Sequence, residues 1–97
     1  MAAQFSRYLL TQEEMAWYIK HYGMPGPIVE DIKEDRRETS SWHAAIEELS
    51  RKMRYLDTHQ FGLEADLPVD DRASIKVELW ALDELVTEGP LAFSGRQ

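Results

Sequence analysis

Apolar residues recur along this chain at helical spacing, and the last third shows that pattern twice over. From Asp70 to Gly89, Ile75, Leu79, Leu82 and Val86 form one stripe at 100° per residue, while Ala73, Val77 and Trp80 lie nearly opposite. A surface helix needs only one apolar face. This segment is therefore either enclosed by its own chain or held between its own core and a partner. A cap at Asp70 or Asp71 opens it, and Gly89-Pro90 stops it. A rival pattern runs through Ser74-Ile75-Lys76-Val77-Glu78-Leu79, which alternates as a strand would. That reading gives an α+β fold with a short strand near residues 74–80. The Ala, Leu and Glu that follow favour helix.

Upstream, Thr11-Gln12-Glu13-Glu14 spells a capping box, with Leu10 and Met15 in the two positions of a hydrophobic staple. Met15, Ile19 and Tyr22 then share a face, and Gly23 supplies the stop. Met24-Pro25-Gly26-Pro27 reads as a rigid turn. Pro27 opens a short helix, Ile28 to Arg36, with Ile28, Val29 and Ile32 on its apolar edge. Ser40 and Ser41 offer N-caps for a long helix from Trp42 to about Thr58. Its Trp42, Ile46, Leu49, Met53 and Leu56 repeat at four-three-four-three spacing, a seam suited to antiparallel packing. His59 to Val69 is a connection in which Leu63 to Leu67 alternates like a short extended segment, and residues 94–97 read as a loose tail.

The fold expected is all-α: a single helical domain over residues 1–97, built as a small bundle of three main helices plus one short helix. Its expected core is Met15, Ile19, Tyr22, Trp42, Ile46, Leu49, Met53, Leu79, Leu82 and Val86. A chain of 97 residues has the usual size of one domain. Three Trp, four Tyr and three Phe supply the large buried areas that disordered chains lack.

Composition narrows the chemistry. Without cysteine there is no disulfide, thiolate nucleophile or Cys-held metal. No apolar run approaches the length of a membrane span, and the first residues lack the apolar core of a signal peptide, so a cytoplasmic protein is expected. Net charge is −7 and unevenly spread. From Phe61 onward, Glu64, Asp66, Asp70, Asp71, Glu78, Asp83, Glu84 and Glu88 face only Arg72, Lys76 and Arg96. That imbalance disfavours general nucleic-acid binding and favours a basic partner.

No catalytic signature emerges. His43 with Glu47, and Asp57 with His59, lack the spacing that brings three or four metal ligands to one point. No nucleophile elbow or glycine-rich phosphate loop occurs. Neither enzyme, cofactor, metal nor small-molecule substrate is expected. A helix-turn-helix-like nucleic-acid-binding regulator would rely on Arg36, Arg37, Arg51, Lys52 and Arg54. A recognition helix beginning at Trp42, however, would present Glu47 and Glu48 to phosphates.

Aromatics outside the main stripes give the better lead. Trp17 lies about 160° from the Met15–Ile19 face, and Trp80 lies opposite the Ile75–Val86 stripe. Such residues either widen the core or anchor an interface. The expectation is a non-enzymatic protein-protein interaction module, a small acidic adaptor or inhibitor whose partner is another protein or a second copy in a homodimer. Trp17, Val77 and Trp80 would anchor the contact, and Asp83 and Glu84 would form its polar rim.

Overall fold

Thr11 opens the first helix as its side chain dictates. In the computed structural model, which describes residues 7–63 and 66–93, its hydroxyl accepts from the Glu14 amide at 3.2 Å. The Glu14 carboxylate in turn accepts from the Thr11 amide at 2.8 Å. Helix α1 runs Gln12–Tyr22. Gly23 ends it at φ 96°, ψ −169°, a conformation open essentially to glycine alone.

Helix α2 spans Pro25–Thr39 and is longer than the Ile28–Arg36 segment expected. The first amides of any helix have no intrahelical acceptor, so Pro25 and Pro27 remove no bond there. Pro25-Gly26-Pro27 thus lies in the first turn of a helix, with Met24 as its extended N-cap. Helix α3, Trp42–Leu56, starts where Ser41 accepts from the Ala44 amide at 3.2 Å, and it closes into a π-helical turn, Asp57–Phe61. Helix α4, Val69–Glu88, contains residues 74–80 without a break, so the strand alternative is incorrect. The described residues form helices and turns and no strand. A 3-10 turn, Pro90–Ala92, follows Gly89.

The doubled apolar pattern of α4 now has its explanation. Helices α1, α2 and α3 each pack against it. Ala73, Lys76, Val77, Leu79, Ala81, Leu82 and Leu85 are all buried, and at 100° per residue they point in nearly every direction around the axis. A helix apolar all round belongs inside. Tyr18 and Val29 meet Ala73, Val77 and Ala81 on one side, while Leu56 and Tyr8 meet Leu79 on another. Toward the C-terminal end, Ala45 and Phe93 meet Leu82 and Leu85. Each fully buried leucine contributes about 1.5–3 kcal/mol. Trp42 donates its indole N–H to the Val86 carbonyl at 2.9 Å, tying the start of α3 to the end of α4.

Three residues of α1 expected in the core lie on its outer side, and Met15, one of them, lines an open depression there. Ile19 and Tyr22 remain 40% and 59% exposed. The inward face of α1 is Glu14 and Tyr18, with Trp17 packed partly against the same cluster. The apolar stripe faces outward because a charged residue, Glu14, takes the inward position. It is 1% exposed and paired with Lys76. Two sequence expectations, the extended segment through residues 64 and 65 and the loose tail at 94–97, lie outside the described residues.

Candidate protein-binding surface

Ion pairs strap every helix to a neighbour, and they decide which charges remain for a partner. Between α1 and α4, Glu14 receives Lys76 at 2.9 and 3.1 Å and Arg72 at 2.9 Å. Burial opposes the Glu14 carboxylate, but hydrogen bonds from the Thr11 amide, Lys76 and Arg72 outweigh it and hold its pKa below the usual range. Between α2 and α4, Lys33 reaches Glu84 at 3.0 Å and Glu88 at 2.8 Å, and Arg37 reaches Glu88 at 2.7 Å. The Glu88 hydrogen bond leads in raising the Lys33 pKa. Arg36 forks onto Glu48 with two bonds of 3.0 Å, joining α2 to α3, and Lys52 meets Glu78 at 2.7 Å, joining α3 to α4. Arg7 and the Tyr8 hydroxyl both bond Asp57, at 2.8 and 2.9 Å.

Three of the five cations offered for nucleic acid, Arg36, Arg37 and Lys52, are therefore engaged with carboxylates of their own chain. Among the described residues, Lys20, Arg51 and Arg54 make no ion pair, against Asp31, Glu38, Glu47, Asp66, Asp70, Asp71 and Asp83. What the fold leaves for a partner is mostly negative.

The five residues proposed for partner contact separate. Val77 is 1% exposed and sits between Tyr18, Val29 and the α4 alanines, so it is a core residue and cannot touch a partner. Trp17 and Trp80 are partly buried, and both lean on that same cluster. Trp17 stacks on His21 at 4.2 Å between ring centres and meets Tyr22 edge-on at 5.7 Å. Trp80 donates its indole N–H to Glu84 at 2.7 Å. Trp80, Asp83 and Glu84 come together with Tyr8, Leu9, Leu10 and Lys76 around a cavity of about 220 Å³. Desolvation, reinforced by the nearby Glu84 charge, raises the Asp83 pKa.

Beside this cavity runs an apolar surface whose residues the helical spacing places in the core. Leu10, Met15, Ala16 and Ile19 line a shallow depression on the outer flank of α1, and Leu10 also lines the Trp80 cavity. Tyr22 and Met24, the latter 63% exposed, continue from the end of the helix. The signal was present as the Met15–Ile19–Tyr22 stripe, read as core. A second cavity of about 260 Å³ lies between α2 and α3 over Leu82, and the Arg36–Glu48 pair forms part of its wall.

No family model, curated protein or solved structure matches the chain. Among the described residues, no three His, Asp or Glu gather to hold a metal ion, and no helix is long and apolar enough to cross a membrane.

Proposed function

We propose that this chain is a non-enzymatic protein-interaction module, an adaptor or inhibitor, that docks a cationic protein through the outer flank of α1. The observation that carries this reading is the apolar stripe left exposed along one flank of α1, on a bundle whose unpaired charges are mostly acidic. Met15, Ile19 and Tyr22 recur at four-three spacing along one flank, and Met24 extends them. Contiguous exposed apolar patches on soluble proteins mark interaction sites more often than scattered single residues do. The partner's sign follows from the net charge of −7 and from the unpaired carboxylates. Two copies would bring like charge together, so a basic partner fits better than a homodimer.

Selection of a displayed random-peptide library on the whole chain tests this. Binders are expected to combine Lys or Arg with apolar residues. They should lose tenfold or more in affinity toward an Ile19→Asp, Tyr22→Ser double variant whose thermal midpoint stays within a few degrees of the original. Failure to enrich binders over a control protein of equal charge overturns the reading. So do binders indifferent to the double variant, or light scattering that gives twice the 11.3 kDa chain mass.

A further inference from the structure

We propose that the occupant of the α1 flank is an amphipathic helix of the partner protein, antiparallel to α1, with acidic residues in its first turn and lysine or arginine in its last. The proposal rests on the docking reading above and adds the partner's conformation, its direction and the order of its charges. Conformation follows from what the surface offers a backbone. A docked strand needs a sheet edge to pair with, and the described residues provide none. An extended peptide laid on α1 leaves the amides and carbonyls that face the surface without partners, because those of α1 are bonded within the helix. A helix satisfies its own backbone and presents only side chains.

The flank is shaped for such an element. Met15, Ile19 and Tyr22 follow at the spacing that a docked helix uses for its own anchors, and Ile19 and Tyr22 stand 40% and 59% exposed. Ala16, exposed beside them, is the smallest residue lining the depression. It leaves a groove into which a ridge of partner side chains can settle at the usual axial separation of about 8–10 Å. The 11 residues of α1 extend about 16 Å, and Met24 prolongs the apolar surface past the helix end, so three to four turns of partner cover it.

Charge sets the direction. Glu13 and Lys20 lie within about 20° of each other around α1 and about 10 Å apart along it, on the Ala16 side of the stripe. Lys20 is exposed and makes no ion pair among the described residues, while Glu13 is 75% exposed and meets Arg72 only at 3.5 Å. Arg72 ties the first turn of α4 to this end of α1, so Glu13, Glu14, Asp70 and Asp71 there outnumber Arg72 and Lys76. Partner cations belong at the Glu13 end and a partner acid beside Lys20. A helix is itself stabilised by acids in its first turn and cations in its last. Both demands are met together only when the partner runs antiparallel to α1.

The probes are peptides of about 15 residues, a length at which isolated helices are marginal, selected on the whole chain as above. Labelled with carbon-13, a binder is expected to move from coil to helical Cα shifts on binding. It should lose tenfold or more in affinity when a proline is placed at its centre. With a nitroxide at its C-terminus, it should broaden the amide peaks of Glu13 and Asp71 more than those of Lys20 and Tyr22. Ala16→Gln, an exposed change to another good helix former, should weaken binding at least fivefold while leaving the thermal midpoint in place. Binders that stay coil-like when bound, or that tolerate the proline, overturn the helix. Broadening equal at both ends or stronger at Lys20 overturns the direction, and undiminished affinity for Ala16→Gln overturns close packing on α1. Failure can be located: binders weakened by the Ile19→Asp, Tyr22→Ser variant yet extended when bound leave the docking reading standing, whereas a library without binders removes both.

Discussion

Glu14 carries two duties with one carboxylate. It closes the capping box of α1 and, through its remaining lone pairs, accepts from Lys76 and Arg72 on α4. Lys76 is 2% exposed, so removing its partner strands a buried cation. Glu14→Gln should cost about 3–5 kcal/mol in urea unfolding. Replacing both partners by apolar residues, Glu14→Leu with Lys76→Met, should cost less than the single change. Because the folded-state pKa of Glu14 is depressed, its stabilisation is complete above the unfolded value of about 4.3 and is lost as pH falls through the folded one. The native chain should therefore lose more stability on acidification than Glu14→Gln does. Asp83 has the opposite sign. With its pKa raised, first by burial and then by Glu84, it favours the fold below the unfolded value of about 3.9 and opposes it as pH rises through the folded one. Asp83→Asn should thus melt at or above the native temperature at pH 7, with the gap closing in acid.

At the scale of the element, local sequence marked some helix ends and missed others: α4 begins at Val69 after Pro68, with Asp70 and Asp71 inside its first turn rather than capping it. The Thr11 box, the Ser41 cap and the stops at Gly23 and Gly89 all occur as read, because each depends on residues within about four positions of one another. Gly89 takes φ 98°, ψ 174°, like Gly23, a region costing other residues about 1–3 kcal/mol. Gly89→Ala should lower stability by about that amount in denaturant unfolding. The α3 seam was also legible: Leu49, Met53 and Leu56 pack on α4 as their spacing implies. The inward side of α1 was not. Periodicity identifies an apolar stripe, but here a glutamate lies inward and isoleucine outward. The reason is a lysine 62 positions away, which no local window contains.

The whole molecule is organised around α4. Leu82 lies at its buried centre, where truncation leaves a cavity no single neighbour can fill, so Leu82→Ala should cost about 2–5 kcal/mol in the same unfolding measurement. Encirclement by three helices also removes the argument that the second apolar face of α4 awaits a partner, and with it the role first given to Val77. The candidate surface shifts to the α1 flank and the Trp80 cavity. Only Trp80, Asp83 and Glu84, in consecutive turns of one helix, were grouped by sequence alone. Joining them to Tyr8 and Leu10 required the chain to return on itself. If the partner is cationic, its binding should weaken steeply between low and physiological ionic strength, because exposed charges are then screened over about 8 Å.

Sequence by itself favoured an all-α fold and determined the Thr11 and Ser41 caps, the glycine stops, the apolar seam of α3 and the excess of negative charge. These follow from backbone preferences and side-chain spacing along a single stretch. Tertiary structure alone decided that α4 is enclosed, which flank of α1 faces outward, which cations are consumed internally, and that Tyr8 and Leu10 join Trp80 around one cavity. Those outcomes depend on residues that are distant in sequence meeting in the fold, from Arg36 and Glu48, 12 positions apart, to Leu9 and Lys76, 67 positions apart, where burial and pairing, rather than residue type, fix what a side chain can do.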